Sequence, residues 1–186
     1  MKKLFIATAL LSTSLLTPLY AADYIIDTKG AHASINFNTK HMGFSVLTGR
    51  FNTFNGSFSY DEANIAASKI KVTIDTTSID SNHAERDKHL RSDDFLSAGK
   101  FGTATFTSTT VEDKGNGKLA IKGDFTLHGI TKSIVIDAIK IGEGSDPWGG
   151  YRLGFSGTTQ IAMGDFGFKM DFGKVNLNLY IEGIRQ

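Results

Sequence analysis

The side chains able to react in this chain are few and scattered. Its five histidines are His32, His41, His83, His89 and His128, and only His83 and His89 are near neighbours in sequence. On a helix their spacing turns them in different directions, so they do not share a metal as an i, i+4 pair would. Asp165-Phe166-Gly167 and Asp171-Phe172-Gly173 match the metal-binding triplet of protein kinases. The chain has no phosphate-binding glycine loop, no Val-Ala-Ile-Lys strand and no His-Arg-Asp loop to go with them, so they read as turn and strand-edge residues. No serine sits in a nucleophile elbow. With no cysteine, thiolate metal sites, thiol redox chemistry and a lipid anchor on an N-terminal cysteine are excluded. The expectation is a protein with no catalytic residue, no metal and no cofactor, whose chemistry is recognition.

Polar recognition groups concentrate in Ser78 to Leu96, SIDSNHAERDKHLRSDDFL. Asn82 and Glu85 have the spacing of a capping box, which predicts a helix over about 82–92, with Gly99 closing the segment. At 100° per residue, Leu90, His83, Arg86 and Asp87 fall on one side and Lys88, Glu85 and His89 on the other. The side bearing the large aliphatic residue is therefore charged, and a charge turned inward is tolerated only when paired and hydrogen-bonded. Two readings stand for His83, Arg86, Asp87 and Arg91: a latch of salt bridges joining Arg86 or Arg91 to Asp87, Asp93 or Asp94, or a cationic collar for an anionic head group, in which His89 joins His83, Arg86 and Arg91.

The elements that must position this helix are strands. Met1 to Ala21 has two lysines, an apolar run and small residues at its end, the pattern of an export signal, with cleavage expected after Ala21 or Ala22. That leaves 22–186 as one domain, large enough to bury a core. Removing Lys2 and Lys3 leaves 18 basic residues against 19 acidic ones. Such a balance, without clustered basic surface, argues against a nucleic-acid partner. Twenty glycines, 14 phenylalanines and two prolines suit long strands and tight turns.

Apolar and polar residues alternate along most of this domain. Ala33, Ile35 and Phe37 share one parity, Phe54, Phe58 and Tyr60 another, and Phe51 breaks the register, which predicts a bend near Asn52–Thr53. Ile70, Val72 and Ile74 follow, then Ala104 and Phe106, then Leu119, Ile121, Phe125 and Leu127. Lys114-Gly115-Asn116-Gly117 and His128-Gly129 read as turns. The last strand sets Val175, Leu177, Leu179 and Ile181 against Asn176, Asn178, Tyr180 and Glu182. About eight long two-faced strands joined mainly by short turns describe an all-β fold, an extended eight-stranded antiparallel up-and-down barrel; two packed sheets are the alternative. Such a barrel either fills with side chains or holds one small ligand. Its apolar parity names the expected cavity lining: Phe37, Phe54, Phe58, Val72, Phe106, Ile121, Phe125, Phe155, Leu177 and Leu179, with glycines leaving room for a tube.

Asn82 to Ser92 with Asp94-Phe95-Leu96, His41-x-Gly43, Gly49-x-Phe51, Ala104 to Thr109, Gly123 to Leu127 and Asp146-Pro147-Trp148-Gly149 together closely resemble the signature of the YceI-like family of periplasmic, lipocalin-like polyisoprenoid-binding proteins. The resemblance covers essentially the whole domain. It implies an extended eight-stranded barrel with a helix against it, a long-chain amphiphile in the tube and no catalysis. The expected role is a periplasmic carrier of an isoprenoid or other long-chain lipid, in passing contact with a membrane or a membrane protein. Two rivals are an outer-membrane eight-stranded barrel, which needs an apolar outer band with aromatic girdles, and an enzyme acting on a lipid head group.

Overall fold

The computed structural model describes residues 21–186. The expected export signal, except for Ala21, lies outside them. The strands are β1 (Ala22–Ile26), β2 (Ser34–His41), β3 (Ser45–Phe51), β4 (Phe54–Tyr60), β5 (Lys69–Asp75), β6 (Ile79–Asp80), β7 (Thr103–Gly115), β8 (Lys118–Leu127), β9 (Ile130–Ser145), β10 (Tyr151–Ala162) and β11 (Lys174–Arg185). One helix, α1 (Ala84–Arg91), lies between β6 and β7.

The first six strands are three longer ones, each interrupted once. β2 and β1 both lie along β11, β3 and β4 lie along β2 and β1, and β6 and β5 lie along β3 and β4. Counted this way the sheet has eight staves. Each pairs antiparallel with the next in sequence, and β11 closes the ring on the first. The expected up-and-down barrel is the fold. The expected bend at Asn52–Thr53 is the β3–β4 interruption, where Asn52 N–H donates to the Ser78 carbonyl and Thr53 N–H to the Ser78 hydroxyl.

The two ends of the barrel differ. At one, short turns join the staves, and the interior is packed with Tyr24 stacked on Phe58 at 4.9 Å and Phe155 edge-on to Phe58 and Tyr60. At the other gather the hairpin between β2 and β3, the helical connection from β6 to β7, and the connection from β10 to β11. The expectation that glycines widen the tube is corrected by Gly49 and Gly123. The rings of Phe37 and Phe106 lie so close to them that an added Cβ would clash with ring atoms in each case. These glycines admit aromatic rings; they do not leave space.

At the packed end, the β1–β2 interruption is bridged by Arg152 of β10. Its guanidinium meets Asp27 and Asp146 at 2.7 Å each and Glu182 at 2.5 Å. Asp27 also bonds His32 Nδ1 at 2.9 Å. The Arg152 guanidinium, with His32 second, holds the Asp27 carboxyl down at about 2 against a usual 3.8. A carboxyl so depressed stabilises the fold above the ordinary carboxylate range, and the contribution is lost as pH falls toward about 2.

Two measurements check this. Gly123→Ala should cost about 1–3 kcal/mol in denaturant unfolding because the Phe106 ring has to move. Gly142→Ala, where an added Cβ meets nothing within 4 Å, should be near neutral. Arg152→Gln should lower the thermal midpoint at neutral pH and flatten the loss of stability between about pH 4 and pH 2; an acid limb as steep as that of the wild type would refute the assignment.

Candidate functional site

The barrel interior holds two apolar chambers in line. The larger, about 430 Å³, opens at the helix end; the smaller, about 120 Å³, lies deeper. Ile35, Ile74, Phe125 and Leu177 line both and form the waist between them. The larger chamber falls within the ~300–1,000 Å³ typical of small-molecule sites. Of the residues expected to line a cavity, Phe37, Phe125 and Leu177 face the larger chamber. Phe58, Val72, Phe106, Ile121, Phe155 and Leu179, again with Phe125 and Leu177, face the smaller. Phe54 is the exception. As the first residue after the β3–β4 interruption, it is buried in the solid core, paired with Ile74, and lines neither chamber.

Three connections form the mouth of the larger chamber. The β2–β3 hairpin brings Lys40, His41 and Met42, α1 brings Arg86, His89 and Leu90, and the β10–β11 connection brings Phe168 and Phe172. Neither chamber has an acidic side chain in its lining. His89, expected on the far side of the helix from Leu90, shares the mouth with it. Its ring stands edge-on to Phe95 at 5.0 Å, and its Nε2 lies 3.4 Å from Asp94. His83 and Arg91, expected as head-group or latch residues, do not line the chamber.

The helix starts one residue later than the capping box predicts. Asn82 has φ of +62°, the left-handed turn that carries the chain out of β6, and its N–H donates to Asp80 at 2.8 Å. An N-cap needs extended backbone, which His83 has at φ −156°, ψ 107°, and its Nδ1 accepts from Arg86 N–H at 3.2 Å. A left-handed Asn82 cannot also cap, so the expected Asn82–Glu85 exchange is replaced.

The latch is likewise made differently. Among the described residues no ion pair joins Arg86 or Arg91 to Asp87, Asp93 or Asp94. Buried Asp87 instead accepts from the backbone N–H of Ser81 at 2.8 Å and from the Ser81 hydroxyl. Arg86 Nε donates to the same hydroxyl at 2.7 Å and its Nη2 to the Ser81 carbonyl. Ser81 is thus gripped by two successive helix residues, and Arg91 Nη1 reaches the Ile79 carbonyl at 3.2 Å. Carboxylate and guanidinium meet through a serine, since residues i and i+1 on a helix do not face each other.

Sequence reasoning missed the other side of the rim. His128 stacks on Phe168 at 5.1 Å and meets Phe101 edge-on at 4.7 Å. Its Nδ1 donates to the Phe166 carbonyl at 2.9 Å, and its Nε2 lies 3.3 Å from the Ser97 hydroxyl. It ties the β10–β11 connection to the segment after α1. The usable signal was three phenylalanines within Phe166 to Phe172, a density that a plain loop does not need.

A sequence model of the YceI-like domain matches residues 24–182. A UPF0312 protein of Shewanella baltica (strain OS195) is 59% identical over all of this chain and 99% of its own length. The crystal structure of the Campylobacter jejuni YceI protein superimposes with a TM-score of 0.72 at 31% identity, covering 80% of this chain and 90% of that one. A polyisoprenoid binding domain from Saccharophagus degradans, 14% identical, shares the fold at a TM-score of 0.65 over 90% of this chain and all of its own.

Asp87→Ala leaves the Ser81 N–H without its acceptor, a loss of about 1–3 kcal/mol for a buried donor. The thermal midpoint should fall by roughly 2–4 °C for each kcal/mol lost, and Asp87→Asn, whose amide oxygen still accepts, should recover most of it. An unmoved melt in Asp87→Ala would remove the structural role and leave only a ligand-facing one.

Proposed function

Because the chain belongs to the YceI-like family, we propose that it is an exported periplasmic carrier. Its domain, 22–186, holds the tail of a long-chain amphiphile, an isoprenoid foremost, along the two chambers with the polar head at the helix end. The observation that carries this reading is the distribution of charge. The chambers are lined by aliphatic and aromatic side chains, and the cationic and imidazole groups that line them, Lys40, His41, Arg86 and His89, all stand at the mouth. Each methylene withdrawn from water is worth about 0.8 kcal/mol, so tail length sets affinity and the mouth sets head-group preference. The polyisoprenoid binding domain of Saccharophagus degradans lends the cargo class. Carriage needs no reacting group, and the family is one of binding proteins, not catalysts.

The collar is drawn only in part from the residues the sequence names. Arg86 contributes what Ser81 leaves free, His89 stands at the mouth, and Lys40 and His41 take the place of His83 and Arg91. With positive groups and no acid in the lining, a phosphate head is favoured over an alcohol. The outer-membrane reading fails on the outward strand faces, where Lys71, Lys118, Lys122, Asp124 and Asp137 are exposed; a lipid-facing band excludes such charges.

Organic extraction and mass spectrometry of protein from its own host should recover an unmodified isoprenoid lipid. Phe125→Trp, at the waist, should still fold and should lower loading by about tenfold, the effect of 1.4 kcal/mol within the 1–3 kcal/mol range of overpacking. Unchanged loading would count against tail insertion past the waist. A polyprenyl phosphate should bind more tightly than its alcohol at low salt, with the gap narrowing as salt screens charges over ~8–10 Å and in Lys40→Gln. Equal, salt-independent affinities would eliminate the anionic head.

A further inference from the structure

The most exposed large apolar side chains on the described residues are Phe44 at 85%, Trp148 at 78% and Met42 at 74%. Trp148, at the packed end, has the Arg152 guanidinium 5.6 Å from its ring. Phe44 and Met42 have no such partner among the described residues. They form the tip of the β2–β3 hairpin with Val46, also mostly exposed, and exposed Met170 and Phe172 stand on the β10–β11 connection at the same mouth.

Two features of the backbone set this hairpin apart. First, it overhangs: β11 pairs with β2 only as far as Asn38, and β6 reaches β3 only at Arg50 and Phe51. Beyond those points Lys40 to Val46 pair only with one another, and an isolated two-stranded ribbon is marginal in water. Second, its turn is built from an unfavourable residue. Met42 and Gly43 have φ of +50° and +80° as the central pair of the His41–Phe44 turn, where asparagine or glycine is strongly preferred at the first position. The hairpin at Asn116-Gly117 has the same signs of φ and the preferred residues. His128-Gly129 also carries a disfavoured residue, but there both ring nitrogens are engaged. The Met42 side chain, which reaches the chamber mouth, makes no such bonds among the described residues.

The charge around the tip identifies what covers it. Lys40 flanks it on the hairpin, and Lys169 and Lys174 flank Met170 and Phe172, three lysines against Asp165 and Asp171 on the same connection; nearby Asp94 faces His89. We propose that the tip Met42, Phe44 and Val46, with Met170 and Phe172, is a docking platform that enters the head-group layer of an anionic phospholipid bilayer and seats the open chamber against the membrane. Apolar side chains rimmed by lysines match a layer that is apolar below and negatively charged at its surface. Seating the mouth there lets a tail pass from acyl chains to chamber without crossing water. This rests on the carrier reading for its purpose, but the docking is tested without cargo.

Vesicle flotation of the signal-free chain, with no isoprenoid present, should recover it with phosphatidylethanolamine–phosphatidylglycerol vesicles and far less with phosphatidylcholine alone. Lys174→Gln should weaken that binding by about fivefold. Phe44→Asp with Val46→Asp should abolish it while equilibrium lipid retention and the melt stay at wild-type values; Trp148→Ser should leave it intact. Met42→Asn should raise the thermal midpoint by about 2–4 °C while reducing vesicle binding, a split that a merely structural residue does not give. Wild-type protein that ignores these vesicles overturns the proposal and leaves a protein partner for the tip, and equal vesicle binding by the Phe44/Val46 variant overturns it too. If the carrier reading alone is wrong, vesicle binding persists in a chain that retains no lipid.

Discussion

Closure of the barrel depends on how β11 divides its second edge. Along one edge it pairs with β10 from Lys174 to Ile184; along the other it pairs with β2 in its first half and with β1 in its last. A closed sheet has no edge strand to protect, but here closure runs through an interrupted stave, and the residues between β1 and β2 have no ladder to hold them. Arg152 supplies the missing hold. It gathers Asp27 from the interruption, Glu182 from β11 and Asp146 from the turn before β10. The interruption, β11 and the turn before β10 are fixed by one guanidinium, whose planar fork suits several carboxylates at once.

With closure secured at one end, the other is free to be hollow. An eight-stranded barrel has an interior just wide enough for side chains to fill, and at the packed end Tyr24, Phe58, Tyr60 and Phe155 fill it. Phe37 at the larger chamber and Phe106 at the smaller pack closely against glycines of neighbouring strands, as Phe58 does against Gly183. The same residue type plugs one end and lines the wall at the other.

The strands and their inward parity were legible because alternation is local, and all but one of the residues that alternation picked face a chamber. Phe54 was misassigned because parity tells inside from outside but not cavity from solid core. The helix was legible in extent to within a residue or two. Its cap was not, because Asn82 is as good a left-handed turn residue as it is a cap, and only the exit angle of β6 decides. What stayed hidden was long-range pairing. Asp27 with Arg152, His128 with Phe166 and Phe101 with His128 join residues whose spacing carries no period, and no local pattern marks them. Ser81 was overlooked for a different reason: charged residues attract salt-bridge readings, while the serine that mediates between them looks ordinary.

The rim of the open end is framed unevenly, and this bears on how a ligand enters. The β10–β11 connection is tied to the segment after α1 through His128 and through Met170 N–H donating to the Asp94 carbonyl at 3.2 Å. Phe95 stacks on Phe172 across the same seam at 5.8 Å. The helix is tied to β6 through Ser81, and Thr76 anchors the return to β7 by bonds to the Phe101 and Gly102 carbonyls. These contacts make two of the three mouth connections a continuous buttress. The β2–β3 hairpin lies outside it, touching β11 at its base through the Thr39 hydroxyl and the Lys174 carbonyl. Buried contacts set local stability, and elements short of them open first. Widening of the mouth therefore falls to the hairpin and not the helix. The helix's polar contacts hold its side of the entrance in shape.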